Sequence, residues 1–151
     1  MLFTYTLNQN ADFQRLYRGG AFCPLGQAFL YAMPNGKPYN RLGITAGKKV
    51  GNAVHRNRAK RIIRAAYAAA EMHFPIGVDM VIVARSGLPE QKSDVLAQAL
   101  SKRGAKHLHD VCSGKIPCQK TASPKRPHKR RKQAPQGSDT AQSSGSPEKK
   151  A

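Results

Sequence analysis

Three features of the chain predict an α+β fold built as a two-layer α/β sandwich. Residues 78–84 form a short apolar, β-branched run, the pattern of a buried central strand. Residues 27–33 and 41–46 alternate with a strand period, while residues 52–73 carry apolar side chains at helical spacing. Helices laid against one sheet bury both sets of apolar faces.

Asn10 reads as the N-cap of a first helix in which Phe13, Leu16 and Tyr17 fall at i, i+3 and i+4, and Gly19-Gly20 ends it. In residues 27–33, Ala28, Leu30 and Ala32 alternate against Phe29, Tyr31 and Met33, so both faces of that strand are expected to be partly covered. Pro34-Asn35-Gly36 turns the chain into the strand at 41–46, which sets Leu42, Ile44 and Ala46 against Arg41, Gly43 and Thr45. These two strands are expected to pair as an antiparallel hairpin.

A basic loop bounded by Gly47 and Gly51 follows, and Asn52 is placed to cap the long helix that Pro75 and Gly77 close. Wound at about 3.6 residues per turn, Ala59, Ile62, Ala66 and Ala70 line up with Ile63 at their flank. After the strand at 78–84, residues 86–89 turn into a last helix with a core stripe of Val95, Leu96, Ala99 and Leu100.

The far side of the long helix is cationic. Arg56, Lys60 and Arg64 stack one turn apart with Asn57 and Arg61 beside them, and Lys48, Lys49 and Arg58 bring the count to seven cations within residues 48–64. A solvated surface helix usually intersperses acids at i,i+4, yet none occurs between Asp12 and Glu71. That repulsion is left for a polyanionic partner to relieve. The whole chain of 151 residues carries a formal charge of +18, so nucleic acid or an anionic surface is the expected partner class.

Several classes are disfavoured. No apolar run reaches the roughly 20 residues that span a bilayer, and no secretory leader pattern opens the chain, so a soluble cytoplasmic protein is expected. Cys23, Cys112 and Cys118 lack metal-ligand spacing and read as free thiols. Gly43 to Lys48 has neither the glycine spacing nor the hydroxyl of a nucleotide-binding loop. Asp12, Glu71, Asp79, Glu90 and Asp94 are scattered rather than clustered, so no protein catalytic site is visible. From about Lys115 the chain is rich in Pro, Ser, Gln and Lys and poor in large apolar side chains. Residues 1–110 are therefore expected to form an RNA-binding domain, and residues 111–151 a disordered basic tail with a dense cluster at 125–132.

Arg41-Leu42-Gly43-Ile44, Lys48-Lys49-Val50-Gly51-Asn52-Ala53-Val54 and Arg56-Asn57-Arg58-Ala59-Lys60-Arg61-Ile62-Ile63-Arg64, in this order, closely resemble the bacterial ribonuclease P protein family. The Arg-Asn-Arg block is its signature, and the resemblance runs from about Asn10 to about Leu108. Gly47, where the family commonly has Ser, and the basic tail are departures. The resemblance implies a small mixed sheet with a left-handed β-α-β crossover. It also implies a protein subunit bound to a large catalytic RNA that, with its magnesium ions, removes the 5′ leader of precursor transfer RNA.

Two surfaces suit two kinds of RNA contact. Guanidinium groups fork onto phosphates, so Lys48, Lys49, Arg56, Arg58, Lys60, Arg61 and Arg64 suit a folded catalytic RNA, and Asn57 is equally a base-edge contact or a solvated amide. The resemblance places Phe13, Tyr17 and Tyr31 in a cleft for the single-stranded leader, where bases stack on aromatic rings. By spacing alone these aromatics, and Phe29 above all, are more often core packing than a binding surface. A structural or ribosomal RNA-binding protein with no part in cleavage is the alternative. Oligomeric state and direct binding of metal by the protein are not legible in the sequence.

Overall fold

The computed structural model describes residues 2–118. Its sheet contains β1 (Thr4–Thr6), β2 (Ala21–Pro24), β3 (Ala28–Pro34), β4 (Asn40–Thr45) and β5 (Val78–Ala84). The helices are α1 (Asn10–Gly19), α2 (Ala53–Ala70), α3 (Ser93–Ala99) and α4 (Ala105–Cys112), with a π turn at Leu100–Gly104 joining the last two. Strand order is β1-β4-β5-β3-β2. β4 runs parallel to β1 and β5, whereas β3 is antiparallel to β5 and to β2, so the sheet is mixed.

The expected β3–β4 hairpin does not form. β5 inserts between the two strands, with Ile82 facing Leu30 on one side and Ile44 on the other. The cause lies in β5 itself, in which every residue but Val83 is buried. A strand covered on both faces needs neighbours at both edges for its backbone groups, and β3 and β4 supply them. β4, α2 and β5 consequently form a parallel β-α-β unit.

The main core lies between one sheet face and α2, α3 and α4, joining Leu30, Leu42, Met80 and Ile82 to Ile63, Tyr67, Leu96, Leu100 and Leu108. On α2 the buried line is Ala59, Ile63, Ala66, Tyr67 and Ala70, so the expected stripe is rotated and Ile62 sits half-buried at its flank. Leu96 and Leu100 are buried as expected, but Val95 is 51% exposed and outside the core. On the opposite sheet face α1 packs Leu16 against Val81 and Leu7, with Phe13, Tyr31, Met33 and Val83 around them. Asn10 is the first residue of α1 rather than its cap; Gln9 holds the cap position, without a side-chain hydrogen bond.

Both sheet edges are held by side chains. Glu71 accepts hydrogen bonds from the amides of Leu2 at 2.8 Å and Phe3 at 2.9 Å and from the Thr4 hydroxyl, fastening β1. Along β2, His107 Nε2 donates to the Ala21 carbonyl and Arg103 to that of Pro24, each at 3.2 Å. Buried Asn40 bonds Pro75 O, Gly77 N and Val78 N, which fixes the entry into β5. Cys23, Cys112 and Cys118 are free thiols. α4 ends at Cys112 with Val111 buried, past the boundary drawn at residue 110, and the tail expected beyond it, from 119 on, lies outside the described residues.

Candidate RNA interface

Asn52 caps α2 as its sequence context suggests. Its Oδ1 accepts from the His55 amide at 3.0 Å and faces His55 Nδ1 at 2.9 Å. Lys48 and Lys49 stand exposed on a 3-10 turn, Lys48–Val50, which buried Val50 pins to the core just before that cap. Gly47 has φ −80° and a Cβ added there would meet nothing within 4 Å, so it needs no glycine-specific conformation and a serine would fit.

The cations of α2 divide between two flanks. Asn57, Arg58 and Arg61 are exposed and line a shallow depression of about 350 Å³ with Val54. Arg58 is pinned there because its Nε donates to the Pro89 carbonyl at 2.7 Å. Lys60 and Arg64 point the other way, into a cleft of about 160 Å³ lined also by Phe13, Thr6, Leu7, Leu42 and Ile44. Arg56 is half-buried, with its Nε shielded and without a hydrogen-bond partner. Among the described residues none of the seven cations of 48–64 pairs with a carboxylate.

The aromatic set assembles where α1 lies on the sheet. Tyr17 and Tyr31 pack edge to face with centroids 5.3 Å apart, Phe13 lies 6.4 Å from Tyr17, and the Tyr17 hydroxyl bonds Thr45 at 2.7 Å. Phe13 sits directly on Gly43, where an added Cβ would fall 2.6 Å from two ring carbons. The glycine of the Arg41–Ile44 segment is thus a seat for an aromatic ring. Phe29 is not simple core packing: it is half-buried, with the Arg85 guanidinium 5.0 Å over its ring.

Fully buried Asp79 holds α1 in place over the sheet. It accepts from Arg41 on β4, Arg15 on α1 and Asn35 after β3, and Arg41 also reaches Asp12 on α1 at 3.2 Å. Burial alone would raise the Asp79 carboxyl, but the hydrogen bonds of Arg41 and Asn35 and the Arg41 and Arg15 charges outweigh it and hold it below the usual carboxylate range. Both carboxylates on this face are therefore committed to arginines. Among the described residues no group of three or more His, Cys, Asp and Glu is placed to hold a metal ion.

Phe22, on the short strand β2, is absent from the sequence-based set. It is 50% exposed and lies between Tyr31 at 5.4 Å and Phe29 at 5.2 Å. Its signal is the alternation of Ala21 and Cys23, both buried, with Phe22 and Pro24, both exposed, directly after the glycines that end α1.

A mixed sheet with an unneutralised basic helix on one side and a partly open aromatic face on the other defines a basic α+β RNA-binding protein. The Ribonuclease P family model matches residues 1–107. The ribonuclease P protein component of Brevibacillus brevis is 40% identical over 98 residues, 64% of this chain and 78% of that protein. The corresponding component of Macrococcus caseolyticus is 34% identical over 111 residues, 73% of this chain and 91% of its own. Among solved structures, the Staphylococcus aureus RNase P protein aligns with a TM-score of 0.57 at 31% identity, covering 72% of this chain and 94% of that one. The Thermotoga maritima RNase P protein aligns with a TM-score of 0.60 at 25% identity, covering 68% and 96%. The chain belongs to the ribonuclease P protein family. Membership makes it a subunit of a ribonucleoprotein endoribonuclease in transfer RNA 5′ maturation, with ribonuclease P RNA as its partner and RNA-based catalysis.

Proposed function

We propose that the two surfaces divide the RNA contacts of this subunit. Lys48, Lys49, Arg56, Asn57, Arg58, Lys60, Arg61 and Arg64 bind the catalytic RNA, and Phe13, Tyr17 and Tyr31 bind the unpaired 5′ leader of precursor transfer RNA. Residues 1–110 carry this specificity, and the particle works in the cytoplasm; among the described residues no helix is long and apolar enough to cross a membrane. The protein contributes binding and no reacting group. Magnesium enters as an ion of the RNA.

The observation that carries this reading is the cleft shared by Lys60, Arg64 and Phe13. A strand running over the aromatic face reaches, at that cleft, the cations that face the second RNA. Unpaired nucleotides suit such a surface because rings take the bases while neighbouring cations neutralise phosphates.

The test is cleavage of 5′-labelled precursor transfer RNA by the cognate catalytic RNA at low magnesium, with and without the protein. Accurate 5′ maturation restored by the protein is the expected result. Replacing Tyr17 or Tyr31 by Ala should weaken precursors while sparing mature transfer RNA. RNA binding without any gain in cleavage would favour a purely structural RNA-binding role.

A further inference from the structure

We infer that the leader track does not end at Tyr31 but continues across β3 to the β2 edge of the sheet, with Phe22 as a further base-stacking platform and Arg85 as its phosphate contact. This rests on the proposal that the aromatic face binds the leader. It adds to that proposal a longer footprint, set by residues outside the cleft formed with α1.

Sheet register carries the inference. Phe22 of β2 stands directly opposite Tyr31 of β3, and Phe29 opposite Val83 of β5, so the side chains share the face on which α1 lies. α1 covers this face around Val81 and Gly43, leaving its β2 side open. Rings then follow one another without a gap: Phe13 to Tyr17 at 6.4 Å, Tyr17 to Tyr31 at 5.3 Å, Tyr31 to Phe22 at 5.4 Å and Phe22 to Phe29 at 5.2 Å. The last two steps lie beyond the leader cleft as proposed above.

Burial along this series is uneven, and that tells the roles apart. Phe29 is half-buried beneath the Arg85 guanidinium, so its ring serves as a support. Phe22 is 50% exposed, a large apolar area to leave in water at a sheet edge. Arg85 is exposed and steadied in place, because its Nη1 donates to the Gly26 carbonyl at 3.1 Å. Its remaining N–H groups are available to an anion. No acid occurs in β2, in β3 or in the loop between them. An exposed ring beside a fixed arginine, continuous with a nucleotide-binding face, matches unpaired RNA: an aromatic platform takes a base of any identity, and the guanidinium takes its phosphate.

The experiment uses the reconstituted holoenzyme and a precursor series whose leader is lengthened one nucleotide at a time, with substrate affinity measured for wild type, Phe22→Ala, Phe22→Tyr and Arg85→Gln. Wild type should gain affinity over more leader nucleotides than Phe22→Ala, and the variant should lose about five-fold or more on long leaders, as for one lost stacked base, with short leaders unaffected. Phe22→Tyr should restore the gain. Arg85→Gln should lower the salt dependence on long leaders alone.

Identical plateaus for wild type and Phe22→Ala would overturn the extension while leaving the leader cleft intact. Absence of any leader gain in wild type would instead overturn the leader reading itself. A Phe22→Ala variant with an unchanged leader response but a changed mass in analytical ultracentrifugation would make this surface a protein contact, which also overturns the inference.

Discussion

Gly43→Ala should cost both stability and leader recognition. The new Cβ would lie 2.6 Å from Cε1 and Cζ of Phe13 and 3.3 Å from a methyl carbon of Leu7. Carbon atoms in contact rest about 3.5–4.0 Å apart, so the ring must retreat by roughly 1 Å. Phe13 cannot do so alone, because α1 is fastened to the sheet through Arg15 and Asp79 at 2.9 Å. Overpacking of this kind costs about 1–3 kcal/mol, which a urea titration of the free protein reads as a lower midpoint at constant slope. Disturbing the Phe13–Tyr17 contact also removes up to one stacked base, about 1–3 kcal/mol, or roughly 5- to 150-fold in affinity. The loss should appear with leader-bearing precursor and not with mature transfer RNA, measured against the same assembled particle. Adding Phe13→Leu should restore most of the stability but not the leader affinity. Wild-type stability for Gly43→Ala would refute the seating of the ring on the glycine; equal losses on both RNAs would refute its link to the leader.

Other expectations concern charge. Arg61→Ala with Arg64→Ala should weaken assembly with the catalytic RNA and lower its log-log salt slope by about 1.4–1.8, from roughly 0.7–0.9 per phosphate; an unchanged slope would remove these residues from the contact. Asp79→Ala should cost about 1–3 kcal/mol in urea unfolding, because Arg41 loses its fully buried partner and keeps only Asp12, while the half-exposed Arg15 turns to water. Asp79 and Glu71 are both held below their ordinary values of 3.8 and 4.5, so the folded state binds these protons more weakly than the unfolded chain. Their contribution is full above those values and fades as pH falls through the folded pKa; Asp79→Asn should flatten this acid limb, and an unaltered limb would contradict it. Removing residues 119–151 should preserve specific RNA binding while reducing the nonspecific, salt-sensitive component, as a filter-binding competition with unrelated RNA would show.

Much of this architecture is legible in the chain because single elements carry local signals. α2 announces itself by the Asn52 cap and the spacing of Ala59, Ala66 and Ala70, and β5 by an apolar run that only a central strand can bury. Pairing is less legible. Residues 34–36 read as a turn, and a turn between two alternating segments argues for a hairpin; Asn35 Oδ1 does accept from the Lys37 amide, but its Nδ2 donates to the Tyr39 carbonyl and to Asp79 of β5, the strand that lies between the two. β1 and β2 span 3 and 4 residues, too short for an alternation to stand out. The basic surface is visible as composition, but its division is not. Lys60 and Arg61 are adjacent in sequence and face different depressions, which only the seating of α2 on the core decides. Phe22 escapes notice because a lone aromatic has no periodic companion until Tyr31 is brought beside it.

Placing β5 at the centre of the sheet has a consequence for biosynthesis. The ribosome delivers β1 to β4 and the whole of α2 before the strand that joins them, so up to that point nothing links the pair β1 and β4 to the pair β2 and β3 within one sheet. Until residues 78–84 emerge, the edges of β3 and β4 are unpaired and the apolar line of α2 has no completed sheet to cover. The arginine helix is thus translated as a free polycation, and its fixed orientation arrives with the last strand. The cleft that Lys60 and Arg64 share with Phe13 therefore exists only once residues 78–84 have closed the sheet, later than the synthesis of the side chains that line it.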